Sequence, residues 1–414
     1  MSVSTVEKTE RGRKRGFLRL DWVLLPALGV LTMLALIAFT EVVARREFRS
    51  EETGLAPCLV LHDSSTGVRG VPNSTCWSKS AESAPIEYKF NSLGHRAGME
   101  YGPKDPQIYR IVMTGSSIAM GLHVPREQTI AALLPGELSS LTGRKVELYN
   151  ISIGAAYGGS PHSVALRFNE VLAAKPDMVL WLLTPWDIDH APDLAPQGEF
   201  VKAANPGVVG SKTAASFSSS PVRRLAAKIG AESAAASLYD GLKELRFRIL
   251  LTHYLYESQS LYVNSYLMNQ DDMVGFMKAD WSPGWKERLD EFNSYAAEII
   301  ARSKAAGVPL VAVLVPNRAQ AAMISMGEWK TGYNPYKLDD ELRASITRLG
   351  GTYVDIFPDM RTIPNPEKNY MPVDGHPYAS GHAMLTDAIA KELTSGAIPT
   401  LESTARGATL AKTK

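Results

Sequence analysis

Five short apolar runs recur along the chain and alternate with segments whose apolar residues follow helical spacing. The pattern predicts buried strands at 108–113, 146–151, 178–184, 309–315 and 352–357. It predicts helices at 127–141, 161–174, 285–306, 335–349 and 379–393. Strands separated by helices are typical of a parallel, doubly wound sheet, because right-handed crossovers place the helices in layers against it. We therefore predict an α/β fold with a five-stranded parallel sheet.

The first fifty residues follow a different pattern. An uncharged apolar segment, 22–40, lies between a basic cluster at 8–19 and the basic residues that follow from Arg45. It is long enough to cross a bilayer as a helix. Since the denser basic cluster comes first, the positive-inside rule places residues 1–21 in the cytoplasm, the anchor at 22–44 and the rest outside, in the periplasm or cell exterior. A cleaved signal peptide is the alternative, although the segment is long for one and 41–46 is a poor cleavage site.

Only two cysteines occur, Cys58 and Cys76, both shortly after the predicted anchor. In an oxidising compartment such residues are expected to pair, with buried free thiols as the alternative. Two cysteines alone do not make a zinc site. They lie in a segment, 45–98, rich in Ser, Gly, Pro and Thr, which we predict to be a loop-rich collar held by a disulfide.

The alternation of strands and helices defines the main domain, predicted at 99–398. It lapses between 190 and 283, where a small-residue stretch precedes one or two helices within 238–268. This segment is interpreted as a helical cap inserted over the carboxyl edge of the sheet, or else as peripheral helical packing. Residues 399–414 are predicted to be a flexible tail.

Charge excludes one class of partner. The 44 basic and 43 acidic residues leave a net charge of +1. No basic field is present that would attract nucleic acid. The partner that these features predict is the lipid bilayer.

Candidate chemistry first appears where the strand at 108–113 ends in small residues. Ser116 and Ser117 lie between this strand and the following helix, at the carboxyl end of a parallel strand, where ligands usually bind. A serine there can act as a nucleophile if a base reaches it, but the same sequence also fits an ordinary turn.

A candidate base lies in the loop after the fifth strand, on the same edge of the sheet. His376 has a side chain suited to proton transfer, and Asp374 is placed two residues before it to orient the ring. A helix-start histidine with a loop-capping aspartate is the alternative. The remaining histidines show no comparable neighbour: His62, His95, His123, His162, His190, His253 and His382.

Four segments in order resemble the sequence blocks of the SGNH (GDSL-like) hydrolase superfamily. Residues 115–121, Gly-Ser-Ser-Ile-Ala-Met-Gly, resemble the first block, Gly-Asp-Ser-x-x-x-Gly. Residues 150–154 and 176–187 resemble the second and third, and 374–377 with Gly381 resembles the last. The segment 91–96, Asn-Ser-Leu-Gly-His-Arg, is also similar to one found in many bacterial members.

This resemblance implies a flavodoxin-like sheet and ester hydrolysis or acyl transfer through a serine, without metal or organic cofactor. Ser117 takes the place of the nucleophile, His376 of the base and Asp374 of the orienting acid. The oxyanion hole would use the Ser117 N–H and Gly154, with Gly158 as the alternative. Candidate oxyanion or substrate-binding residues in the third block are Trp186 and Asp187.

Three departures from the family pattern affect these assignments. Ser116 replaces the usual Asp of the first block. Only one residue, rather than two, separates Asp374 from His376. Trp186 occupies the place of the third-block Asn, so it either donates through its indole N–H or belongs to the core.

The sequence predicts a membrane-anchored extracytoplasmic serine esterase acting on acetyl or other short acyl esters, with an acyl ester or an acylated glycan as its substrate. Two alternatives remain. One is an O-acyltransferase that modifies a cell-surface polysaccharide with the same acyl-enzyme. The other is a non-catalytic glycan-binding or assembly protein that keeps the fold, favoured by Ser116 and Trp186.

Overall fold

Helix α1 (Asp21–Glu47) is the first element of the computed structural model, which describes residues 21–48, 54–63, 67–154, 160–189, 245–269 and 271–402. Its 27 residues extend about 40 Å at about 1.5 Å per residue, more than the hydrocarbon core of about 30 Å. An 18-residue window within Val23–Glu47 has a mean hydropathy of 2.4, and none of it is buried by the rest of the protein. Helix α1 is the one helix of this kind among the described residues, and it fits a membrane span, as it would also fit a signal sequence.

The collar is more regular than the sequence predicts. Its four short strands are β1 (Leu59–Asp63), β2 (Gly67–Gly70), β3 (Thr75–Ser78) and β4 (Ile86–Lys89). Antiparallel pairing joins β1 to β2 and β3 to β4. The strands are too short for their alternation to stand out in a sequence rich in turn residues. Cys58, just before β1, forms a disulfide with Cys76 in β3, with a Cα–Cα distance of 6.1 Å.

The main sheet has five parallel strands: β5 (Tyr109–Gly115), β6 (Val146–Asn150), β7 (Met178–Leu183), β8 (Leu310–Leu314) and β9 (Thr352–Tyr353). Their order is β6-β5-β7-β8-β9, which is the 2-1-3-4-5 order of flavodoxin-like sheets. Every residue of β5, β7 and β8 is buried, as expected of strands covered on both faces. The predicted fold class and five-stranded parallel sheet are confirmed.

Two groups of helices cover this sheet. Within the described residues, the helices after α1 are α2 (Ser117–Met120), α3 (Ile130–Thr142), α4 (Pro161–Ala173), α5 (Pro185–Asp189), α6 (Phe247–Leu255), α7 (Gln259–Asn269), α8 (Pro283–Ala305), α9 (Arg318–Met326), α10 (Lys337–Leu349), α11 (Phe357–Met360) and α12 (Ala379–Glu392). In one group α3 packs against α12, and in the other α8 packs against α4 and α10. The apolar core lies between these helices and the sheet.

Three differences from the sequence prediction have a clear physical cause. Strand β9 has two residues rather than six, because the Asp355 carboxylate accepts the Phe357 N–H at 3.0 Å and turns the chain into α11. Helix α9 is absent from the prediction, although Asn317 and Gln320 form a capping box at its start. Pro399–Leu401 form a 3-10 turn with Leu401 fully buried, so the predicted flexible tail does not begin at 399.

The predicted cap is described only in part, because residues 190–244 lie outside the described residues. Its described portion contains α6 and α7. Tyr266 of α7 accepts a hydrogen bond from the Asn317 side chain at 3.0 Å. Since Asn317 follows β8, α7 contacts the chain at the carboxyl edge of the sheet.

Candidate active site

Ser117 is the first residue of α2, immediately beyond the carboxyl end of β5. A Cβ atom on Gly115 would lie 2.4 Å from the Leu182 carbonyl oxygen, so close packing of β5 on β7 requires glycine there. Gly121 ends α2 with φ of 81°, a left-handed conformation that also favours glycine. The chain leaves β5 toward β6 on one side of the sheet, whereas β7 is followed by β8 on the other side. Such a switch point, here between β5 and β7, is where open α/β sheets bind ligands.

Arg96, from the segment 91–96, hydrogen-bonds the backbone that follows Ser117. Its guanidinium is 2% exposed and donates hydrogen bonds to the carbonyls of Gly121 at 2.5 Å and Val124 at 2.8 Å. It also stacks on Tyr88 of β4, with Cζ 4.2 Å from the ring centroid. The collar therefore holds the residues that follow the candidate nucleophile.

The structure brings Ser117, His376 and Asp374 together. His376 Nε2 lies 2.8 Å from Ser117 Oγ, although the two residues are 259 positions apart in the sequence. His376 Nδ1 lies 2.5 Å from Asp374 Oδ1, which also accepts the His376 backbone N–H at 3.2 Å. A separation of one residue thus suffices for the carboxylate to reach the ring. The arrangement has the hydrogen bonds that a serine, a base and an orienting acid require.

The Asp374 carboxylate is held in its charged form. Burial alone would raise its pKa, but His376, through its charge and hydrogen bonds, lowers the pKa well below its ordinary value. The side chains of Asp374 and His376 are each 14% exposed. A charged carboxylate favours the imidazolium that forms when the ring accepts a proton from the serine.

Glu82, in the turn between β3 and β4, supports the loop that carries Asp374. Its carboxylate accepts the backbone N–H groups of Asp374 at 2.7 Å and Val373 at 3.1 Å. His253 Nδ1 of α6 lies 2.7 Å from the same carboxylate, whose side chain is 1% exposed. Burial raises the pKa of Glu82 against the opposing effect of His253. Glu82 is not among the residues predicted from the sequence. It lies in a segment without hydrophobic periodicity, so no sequence pattern indicates its contact with the loop of Asp374.

His123 lies on the other side of Asp374. Its Nε2 is 3.7 Å from Asp374 Oδ2, and its ring packs edge-on to His376 with 5.3 Å between centroids. The prediction that the other histidines lack such neighbours is therefore wrong for His123 and His253, and also for His95, whose Nε2 lies 3.6 Å from Glu170 Oε2. Burial lowers the pKa of His123 to about 4, against the opposing charge of Asp374. Neither ring nitrogen has a hydrogen-bond partner.

We expect His123 to make the stability of the protein depend on pH. Its folded pKa of about 4 lies below the ordinary 6.5, so its contribution is complete above the unfolded pKa and is lost as pH falls from about 6.5 toward 4. Between pH 7 and 5 this is about 2 kcal/mol. His123→Asn removes the titrating ring, and Asn tolerates the left-handed φ of 64°.

The test is urea unfolding of the full chain in detergent at both pH values. The loss of stability between pH 7 and 5 is expected to be about 2 kcal/mol smaller in His123→Asn than in the wild type. Parallel pH profiles would contradict this prediction. Buried His382, whose pKa is lowered to about 3, is present in both proteins and cancels in the comparison.

The two candidate oxyanion donors, the N–H groups of Ser117 and Gly154, differ in whether they already have a hydrogen-bond acceptor. Ser117, as the first residue of α2, has a backbone N–H without an intrahelical partner. Gly154 lies close, since a Cβ on it would be 3.1 Å from Ser117 Cα, but its N–H donates to Met120 Sδ at 3.1 Å. A thioether is a weak acceptor, which a developing oxyanion can displace. Gly158, the alternative, lies outside the described residues.

Trp186 lines the site rather than being wholly enclosed in the core. It is half-buried, and its ring centroid lies 5.7 Å from that of His376. A Cβ on Gly375 would meet its ring at 3.5 Å. Trp186 therefore forms a wall beside the candidate base.

Asp187 does not have the substrate-facing position that the sequence suggested. It is 5% exposed, and its Oδ2 accepts the N–H of Thr184 at 2.7 Å and the hydroxyl of Thr184 at 2.8 Å. Burial raises its pKa to about 7, against hydrogen bonds from Ser116 and Thr184. We assign Asp187 to holding the Ser116 turn against the end of β7.

One group of side chains in the described part of the chain has the composition of a metal site. Ligand atoms of His123, Asp374 and His376 lie within 4.8 Å of one another. His376 already bonds both Asp374 and Ser117. Both ring nitrogens of His376 are therefore engaged in hydrogen bonds.

No protein-family model and no curated protein sequence matches the chain. Among solved structures it is similar to an esterase from a Pseudoalteromonas species at 10% identity and a TM-score of 0.34, covering 69% of this chain and 97% of that one. It is similar to a variant of an acetyl-xylooligosaccharide esterase from Geobacillus at 14% and 0.35, covering 69% and 94%. A lipase/acylhydrolase from Enterococcus faecalis is similar at 12% and 0.34, with the same coverage. Similarity at this level assigns neither a family nor an activity.

Proposed function

We propose that the chain is a membrane-anchored serine esterase of the SGNH hydrolase superfamily, acting on acetyl or other short acyl esters outside the cytoplasm. The observation that carries this proposal is the hydrogen-bonded series from Asp374 through His376 to Ser117. The sequence blocks around these residues support the family assignment. The apolar helix α1, the basic residues before it and the Cys58–Cys76 disulfide support the location.

The reaction proceeds in two acyl transfers. Ser117 Oγ attacks the ester carbonyl while His376 Nε2 accepts the hydroxyl proton, and the tetrahedral oxyanion accepts hydrogen bonds from the N–H groups of Ser117 and Gly154. Collapse breaks the bond to the leaving alcohol, which takes the proton from His376. Water, activated by the same ring, then hydrolyses the acyl-serine and releases the carboxylic acid.

A covalent label tests this proposal. The full chain in detergent, treated with a fluorophosphonate, is expected to gain one adduct on Ser117, located by peptide mass spectrometry. Ser116→Ala provides the matched control, because it removes the neighbouring hydroxyl and is expected to keep the adduct. An unlabelled, folded protein, or an adduct elsewhere, would contradict the nucleophile assignment and favour a non-catalytic binding protein.

The acceptor distinguishes hydrolysis from acyl transfer. With p-nitrophenyl acetate as donor, an esterase is expected to release one free acetate per nitrophenol without any sugar present. An O-acyltransferase would instead require an oligosaccharide and leave acetate on its hydroxyl groups.

A further inference from the structure

Helix α6 is largely apolar and leaves much of that apolar surface exposed. Six of its nine residues are apolar or aromatic, and none of the nine is buried. Leu251, Tyr254 and Leu255 are 52%, 66% and 44% exposed. Surface helices of water-soluble domains bury their apolar stripe against a core, so an exposed stripe marks a contact surface.

The exposed residues share one side of the helix. At about 100° per residue, Arg248, Leu251, Tyr254 and Leu255 span an arc of about 120°. His253 lies on the opposite side, where it bonds Glu82 at 2.7 Å. Thus α6 faces the collar with one side and presents the other outward. We call the outward residues 251, 254 and 255 the outer face of α6.

The start of α6 is attached to the outer end of the anchor helix. Arg246 Nη1 donates to the Phe48 carbonyl at 3.1 Å, and the Phe247 N–H donates to Glu41 Oε2 at 2.9 Å. Phe48 also packs edge-on to His253, with 5.2 Å between ring centroids. This contact covers the end of the anchor, since Ala44 and Phe48 are 0% and 8% exposed.

The position of this attachment along α1 fixes its height relative to a bilayer. The uncharged segment ends at Thr40, and the attachment uses residues 41–48. At about 1.5 Å per residue these lie about 2 to 12 Å beyond the segment. The headgroup layer on each side of a bilayer is about 5 to 8 Å thick. The first turn of α6 therefore begins within or just above that layer.

We propose that the outer face of α6 lies on the bilayer that α1 spans and forms a second membrane contact. Leucines provide apolar area, and Tyr254 has the amphipathic ring that is enriched at membrane interfaces. The exposed side chain of Arg46, at 87%, and exposed Arg248 suit anionic headgroups, whereas Arg45 is paired with Glu41 at 2.7 Å. The inference rests on the proposed membrane span of α1, but not on catalysis.

This contact sets the distance between the active site and the membrane. His253, behind the outer face, holds Glu82, and Glu82 holds the N–H groups of Val373 and Asp374. The site is thereby fixed near the membrane surface instead of moving freely on a tether.

Depth measurement in a bilayer tests the proposal. The chain has only two cysteines, joined in the disulfide, so a nitroxide can be placed at a single introduced cysteine. Labels are placed at Leu251→Cys and Leu255→Cys. Matched labels are placed at exposed Glu137 of α3 (Glu137→Cys) and within α1 (Leu31→Cys). The full chain is reconstituted in phosphatidylcholine vesicles containing phosphatidylglycerol, and collisions with oxygen and a water-soluble nickel chelate are measured by power saturation.

We expect labels at 251 and 255 to collide several-fold less with nickel and more with oxygen than the label at 137. Nickel accessibility equal to that at 137 would overturn the proposal. Low accessibility to both reagents would also overturn it, because another part of the protein or a second copy would then cover the face. Nickel access at 31 would instead reject the anchor itself, which separates the two failures.

Discussion

Replacing Ser117 with alanine is expected to lower the rate of p-nitrophenyl acetate hydrolysis by at least about a thousandfold, or about 4 kcal/mol of transition-state stabilisation. The variant keeps His376 and Asp374 but has no oxygen to accept the acyl group. Since the substitution removes one atom from a partly exposed side chain, the melting temperature is expected to stay close to that of the wild type. Initial rates and thermal unfolding of the full chain in detergent provide both measurements.

Ser116→Ala is the matched control for this variant. It removes a hydroxyl one residue away that hydrogen-bonds Asp187 rather than His376. We expect most of the activity to remain. An unchanged rate in a folded Ser117→Ala protein would refute the assigned nucleophile.

The second large effect is expected at Glu82. Glu82→Ala leaves the backbone N–H groups of Val373 and Asp374 without their acceptor in a buried position. An unsatisfied buried group costs about 1–3 kcal/mol, so the free energy of unfolding is expected to fall by about 2–4 kcal/mol. Because the loop also sets the position of His376, kcat is expected to fall by about 10- to 100-fold.

Two further variants separate the contributions of Glu82. Glu82→Gln keeps one oxygen for the N–H groups and is expected to lose less of kcat than alanine. His253→Gln removes the ionisable partner of Glu82, while the Glu82 carboxylate still accepts the N–H groups of Val373 and Asp374. This variant is expected to lower the free energy of unfolding more than it lowers kcat. Since Glu82 acts through the loop, KM for a small ester should change little in all three. Wild-type kcat and stability in Glu82→Ala would contradict the role given to this residue.

The sequence predicts the parts of this protein whose signal is local. Strands β5 and β7 stand out because both of their faces are buried, which produces uninterrupted apolar runs. Ser117 and His376 are predicted as site residues because small residues and polar residues follow strands of a parallel sheet. The order of that sheet explains why the two loops meet on one edge.

Other parts were missed because their contacts join distant residues. Glu82 bonds the N–H group of Val373 across 291 positions, and nothing near Glu82 in the sequence records that contact. His123 has a left-handed φ and lies 3.7 Å from Asp374, a residue far from it in the sequence. Asp187 matches a functional block, but burial and the Thr184 hydrogen bonds turn its carboxylate inward.

The long sequence separation between Ser117 and His376 has a consequence for biosynthesis. The ribosome adds the histidine 259 residues after the serine, which takes on the order of tens of seconds at about 5–20 residues per second. Throughout this interval the nascent serine has no proton acceptor. A chain whose translation stops before the final loop is therefore expected to be inert toward the acyl esters it meets.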